Sequence, residues 1–183
     1  MSHCSRRDFM KIGTGLLASC FLPSAGWGSL LPDHTRRSLS FYNTHTGERL
    51  SVCYFKNGAY RPDAMAKINH ILRDHRTGEI KAMDPALLDL LACVHRELGC
   101  STPFHIISGY RSPKTNAQLR KRTTGVAKFS YHMLGQAIDI RLPGCKTRQL
   151  RKVCMDLKEG GVGYYPRSDF VHIDTGAFRT WKG

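Results

Sequence analysis

The stretch "SYHMLGQAIDI", Ser130 to Ile140, sets a histidine and an aspartate seven residues apart, His132 and Asp139, on either side of Gly135. Its second half has the period of two that a strand requires: Ala137 and Asp139 share one face, Ile138 and Ile140 the other. The first half, up to Gly135, reads as the loop that enters that strand. Two readings stand side by side, a pair of metal ligands or a surface histidine with a strand-end aspartate.

Working outward, "DFVHIDT", Asp169 to Thr175, repeats the pattern, with Phe170, His172 and Asp174 on one face. If the two strands are neighbours with those faces aligned, Asp139 meets His172, and His132 reaches over both from its loop. Two imidazoles and one carboxylate with room for a water suit a catalytic zinc. Such sites use three protein ligands, with Zn–N of about 2.0–2.1 Å and an open position, and structural sites are richer in cysteine. The ion would bring the pKa of its water to roughly 7.

A hydrolytic site also needs a base and a partner for developing charge. Asp169 stands three residues before His172, so from a regular strand its side chain leaves by the opposite face. It serves only if the chain turns near Ser168–Phe170. Asp174 shares the face of His172, as an alternate base or as the partner that fixes an imidazole. Arg111, in "ISGYRSP", follows directly on a buried strand, where a rigid support can aim a loop residue into a cleft. Its guanidinium would bind a substrate carboxylate or carbonyl oxygen there; the alternative is a solvated surface arginine.

Around these residues the chain reads as one α+β domain with a small antiparallel sheet flanked by helices. "RSLSFYNTHTGERLSVCYF" alternates on both sides of "NTHTGE" and predicts a hairpin turning near Thr46-Gly47. "RPDAMAKINHILRDHR" and "DPALLDLLACVHRELG" predict helices, the second with Asp84 as N-cap and Gly99 at its end. Its stripe of Leu87, Leu88, Leu91, Val94 and Leu98 faces the core. "PFHIIS" is a buried strand, "SPKTNAQLRKRTT" and "KTRQLRKVCMDLK" are helical, and "GGVGYYP" is a glycine-rich turn or short strand.

At 183 residues with 41% hydrophobic and 23% charged residues, the composition is that of a globular domain with its own core. The 28 basic residues against 14 acidic ones give a net charge of +14 and favour a polyanionic partner. The first residues indicate where that partner is met. "SRRDFMK", Ser5 to Lys11, carries the fixed residues of a twin-arginine export signal, and the apolar run from Ile12 to Leu22 is too short to span a bilayer. Residues 1–28 are therefore assigned to the export signal, 29–37 to a linker and 38–183 to the domain. "LASC", Leu17 to Cys20, resembles a lipobox, so Cys20 is a candidate lipid anchor; cleavage near Ala25 to Gly28 would instead release a soluble chain. No transmembrane segment is expected after the signal is removed. Cys53, Cys93, Cys100, Cys145 and Cys154 show no CxxC spacing and are expected as small core residues, with a Cys145–Cys154 bridge as the alternative.

Together "SGYRS", "SYHMLGQAIDI", "GGVGYYPRSDFVHIDTG" and the twin-arginine start resemble the MepK-type murein endopeptidases. These belong with the D-Ala-D-Ala metallopeptidases, which share the hedgehog-like zinc peptidase fold. The likeness runs from about Ser38 to Trp181. It implies zinc held by His132, Asp139 and His172, cleavage of peptide cross-links in peptidoglycan, Arg111 at the substrate and transition state, and a general base at Asp169. Many members carry Glu at that last position, and Asp174 stays as the alternate. The implied protein is a periplasmic monomer acting on the wall, whose peptide carboxylates suit its positive charge. The competing functions are a carboxypeptidase releasing terminal D-Ala and a zinc-containing wall-binding module without catalysis. Nucleic acid is not expected as a partner, because export removes the chain from it.

Overall fold

The computed structural model describes residues 36–183. The expected export signal, Cys20 and the expected linker up to residue 35 lie outside the described residues. The first strand, β1 (Arg36–Asn43), starts two residues inside the expected linker and pairs with β2 (Arg49–Lys56) as the predicted hairpin. A two-residue β3 (Ala59–Tyr60) extends its edge.

Two helices follow. In α1 (Pro62–Ile71), proline sits in the first turn, where its missing N–H is not needed. This helix stops short of the predicted Arg76 because Asp74 takes the backbone N–H of Arg76 on its own carboxylate, closing a turn that competes with further helix. In α2 (Pro85–Leu98), Asp84 accepts the N–H of Ala86, and Gly99 ends the helix in the left-handed region at φ 60°. Leu87, Leu88, Leu91 and Val94 are buried as their spacing requires, and Leu98 packs against the same core.

The remaining elements are β4 (Phe104–Ser108), α3 (Pro113–Arg122), a 3-10 turn (Tyr131–Leu134), β5 (Ala137–Arg141), α4 (Thr147–Leu157), β6 (Gly161–Tyr165), β7 (Phe170–Asp174) and β8 (Arg179–Lys182). All strands join one sheet in the order β3-β2-β1-β4-β5-β7-β6-β8. The α+β class is as expected, but the sheet is larger than predicted and is mixed. Strands β1/β4 and β6/β8 run parallel, the other neighbours antiparallel. The crossover through α1 and α2 is long enough to return the chain parallel to β1, whereas a tight hairpin is not.

One face of the sheet carries Leu39, Phe41, Phe104, Ile106, Ile138, Ile140, Val162, Val171 and Ile173 against the helices, forming a single core. The other face carries the polar residues that alternate with them. No helix among the described residues is long and apolar enough to cross a membrane. Cys53, Cys100, Cys145 and Cys154 are free thiols, so the suggested Cys145–Cys154 bridge does not form. Cys154 points from α4 into the core, where burial pushes its thiol up to about 12.

Candidate metal centre

Strands β5 and β7 are neighbours, and their register sets Asp139 directly opposite His172. With Ile138 and Ile140 fully buried on the helical face, Asp139 has to point to the other. The 3-10 turn then brings His132 over the pair. Its Nε2 lies 3.2 Å from His172 Nδ1 and 3.3 Å from Asp139 Oδ1, and His172 Nδ1 is 2.8 Å from the same oxygen. All three side chains are buried.

Each imidazole is fixed from behind. His132 Nδ1 donates to the carbonyl of Gly109 at 2.7 Å, which turns the lone pair of Nε2 toward the cluster. His172 Nε2 donates to Asp174 Oδ2 at 3.0 Å, which does the same for Nδ1. Three electron-pair donors therefore face one point within 3.3 Å of each other. Facing donors repel unless a cation lies among them, and this set of two imidazole nitrogens and a carboxylate suits zinc. Among the described residues, His132, Asp139 and His172 are the group whose ligand atoms converge in this way.

The electrostatics point the same way. Burial disfavours charge on Asp139, but the two imidazoles outweigh it and hold the carboxyl far below its usual range. Burial also lowers His132. On His172 burial acts downward too, yet the carboxylates of Asp139 and Asp174 outweigh it and raise the imidazole to about 8. A proton and a metal ion thus compete for the same nitrogen.

Asp174, fully buried, holds more than His172. Its carboxylate also takes the N–H groups of Gly161 and Gly176 and the guanidinium of Arg179 at 2.7 Å. Burial acts to raise its pKa, but the bonds to His172, Arg179 and the Gly176 N–H outweigh it and hold the carboxyl below its usual range. Arg179 reaches it from β8, which also supplies Trp181, whose ring lies 5.1 Å from that of His172 and whose Nε1 donates to the Tyr165 hydroxyl at 3.0 Å. Both side chains lie over β6 at Gly161 and Gly163, where any Cβ would strike them. Sequence reading missed Arg179, Trp181 and Gly109; the alternating glycines of "GGVG" were the available sign that something lies across that strand.

Arg111 is brought to the site. Its Nη2 stands 3.7 Å from Asp139 Oδ2 and 3.4 Å from Ser108 Oγ, with 13% of the side chain exposed. Its loop is clamped at every residue. Gly109 packs so tightly on the Leu72 carbonyl that a Cβ would collide, Tyr110 N–H donates to that carbonyl, Arg111 N–H to His132 O, and Ser112 N–H to Asp74 Oδ2.

Asp169 is not among the residues whose ligand atoms converge. The chain does turn there, at φ 52°, but the carboxylate accepts from Thr147 Oγ1 at the start of α4 and lies 3.8 Å from Arg141, with 59% of the side chain exposed. Asp169 precedes β7, in a left-handed turn, so its direction is set by that turn and by its bond to Thr147 rather than by the parity of the strand.

A buried two-histidine, one-carboxylate cluster with an arginine at its rim is the arrangement of a hydrolytic metal centre. The family model described as "Peptidoglycan L,D-endopeptidase MepK" matches residues 32–181, and the chain belongs to that family. It is 43% identical over 177 residues to the peptidoglycan L,D-endopeptidase MepK of Escherichia coli K12, covering 97% of each chain. The likeness to the protein of that name from Shigella flexneri is the same. A probable peptidoglycan L,D-endopeptidase MepK of Haemophilus influenzae is 38% identical over 180 residues, covering 98% of this chain and 96% of the relative. The chain is thus a peptidase of the peptidoglycan-cleaving group.

Proposed function

We propose that the protein is a zinc-dependent periplasmic endopeptidase that cuts L,D cross-links between the peptide stems of peptidoglycan, after export by the twin-arginine route. The convergence of His132, Asp139 and His172 beside Arg111 carries this reading, in a chain matched over nearly its whole length by relatives named for that activity. His132 Nε2, Asp139 Oδ1 and His172 Nδ1 would hold the ion. When bound, zinc supplies a Lewis acid for a carbonyl oxygen and a water acidic enough to react at neutral pH.

The chain's own groups do the rest. Gly109 and Asp174 hold the two imidazoles in the tautomers that leave a lone pair for the metal. Asp139 presents its second oxygen to Arg111, so the carboxylate that binds the metal also steadies the guanidinium. Arg111 stays cationic, although burial lowers its pKa, and it meets a substrate carboxylate or the charge that develops on the scissile carbonyl. The hold of Asp174 on His172 and Arg179 supports a positioning role for it rather than that of base. Asp169, bound to Thr147 and exposed, is read as a tie between β7 and α4.

Incubation of the protein with purified 3-3 and 4-3 cross-linked muropeptides, with and without a chelator, tests the reading by mass spectrometry. Chelator-sensitive conversion of 3-3 dimers to monomers is expected. Cleavage of 4-3 dimers alone would overturn the L,D assignment, release of D-Ala from monomers alone would make the protein a carboxypeptidase, and zinc binding without product would make it a wall-binding module.

A further inference from the structure

Between Ser101 and Ile138 the sequence contains no aspartate or glutamate, although the chain has 14 acidic residues elsewhere. The same span holds Arg111, which belongs to the site, and five more cations: Lys114, Arg120, Lys121, Arg122 and Lys128. All five are exposed, and none makes an ion pair among the described residues. Four of them cluster at the end of α3 and in the loop that follows.

That loop also presents Phe129, 83% exposed, with the Lys128 ammonium 5.4 Å from its ring. The exposure is built in rather than a consequence of slack chain. Asn116, buried on α3, donates through Nδ2 to the carbonyls of Ala127 and Lys128 at 3.0 and 3.4 Å. Ser130 then caps the 3-10 turn. The backbone is held on both sides of a ring that points into water, and Leu134 at the end of the same turn is 56% exposed.

We infer that the α3 to Leu134 segment is a docking surface for an anionic phospholipid bilayer. A projecting apolar side chain with one cation at its ring and further exposed cations on the same segment is the chemistry that enters a membrane interface, with the ring at the acyl boundary and the cations among phosphates. A glycan is the weaker fit. Sugar hydroxyls call for carboxylate and amide acceptors, of which this surface has no acidic ones, and a single phenylalanine makes no stacking ladder. Since Phe129 lies three residues before His132, docking here holds the mouth of the metal centre at the membrane surface, under the wall it would act on.

The test is co-sedimentation of the full chain, carrying Cys20→Ser so that no acyl chain contributes, with vesicles of pure phosphatidylcholine and of phosphatidylcholine with 30% phosphatidylglycerol. The substituted variants keep residues 1–35 with Arg6, Arg7 and Lys11, so the difference between parent and variants removes whatever that segment adds. Binding to the anionic vesicles alone, lost at high salt, is expected. The triple substitution Lys121→Gln, Arg122→Gln, Lys128→Gln should weaken it on the order of a hundredfold, about fivefold per cation. Phe129→Ser should weaken it several-fold, with zinc content and hydrolysis of a soluble muropeptide unchanged in both variants. Equal partition onto neutral and anionic vesicles, or undiminished binding by the variants, would overturn the inference. So would retention on purified peptidoglycan that these substitutions abolish while vesicle binding is absent, which would make the surface a wall-polymer site.

Discussion

His172 is controlled by what stands behind it. Its Nδ1 faces the cluster only because Nε2 is engaged by Asp174, and Asp174 is itself fixed by Arg179 and two backbone N–H groups. Replacing Asp174 with Asn keeps the shape but removes the charge that makes the imidazole a good ligand. Zinc affinity, measured by competition with a chromogenic chelator, is expected to fall about 10- to 100-fold while the circular dichroism spectrum persists; unchanged affinity would mean that Asp174 serves packing alone. Asp169 makes the opposite case. A general base contributes about 10²- to 10⁴-fold, so Asp169→Asn should leave kcat/KM within about threefold of the parent, and a hundredfold loss would return the residue to the reacting groups. At this scale the period of two was enough to put His172 and Asp174 together, whereas the direction of Asp169 was decided by the left-handed turn before β7. What it could not show was the Gly109 carbonyl behind His132, because a backbone oxygen leaves no mark in residue type.

Among the elements, the loop from Gly109 to Ser112 is where the site depends most on its neighbours. It hangs from the end of α1 through Leu72 and Asp74. Burial raises the pKa of Asp74, but hydrogen bonds from Thr115 and from the N–H groups of Ser112 and Arg76 outweigh it and bring the carboxyl down to about 2. A carboxyl depressed in the folded state adds stability above its unfolded pKa and loses it as pH falls toward the folded value. Asp74 therefore contributes on the order of 1–2 kcal/mol near neutrality, given up between about pH 4 and pH 2. Urea melts as a function of pH should show Asp74→Asn destabilised at pH 7 and flatter than the parent across that window. Equal slopes for the two would contradict it. The hairpin and α2 were legible because their turn and cap residues are local signals. Strand β8 was not, since "RTWK" is too short for periodicity and pairs parallel with β6, with β7 between them in the chain.

For the molecule as a whole, the ligands come from three separate segments, the 3-10 turn, β5 and β7, so a bound ion adds a tie among them to the backbone bonds and the core. Zinc at a hundred times its dissociation constant should add about 2.7 kcal/mol to unfolding, or roughly 5–10 °C in Tm. Differential scanning fluorimetry reads this shift; a chelator should reverse it, and His132→Ala should not show it. Periodicity determined which residues share a strand face, and therefore that His172, Asp174 and Asp139 had to lie on polar faces, while turn and cap residues placed α2 and the β1–β2 hairpin. These are properties of a backbone a few residues long, and the same few residues carry them in the sequence. The adjacency of β5 and β7, the parallel placing of β1 beside β4, and the passage of β8 over Gly161 and Gly163 were decided only by tertiary structure. Strand order is chosen by how much apolar surface the whole sheet buries against its helices at once, and that sum is spread over segments more than a hundred residues apart.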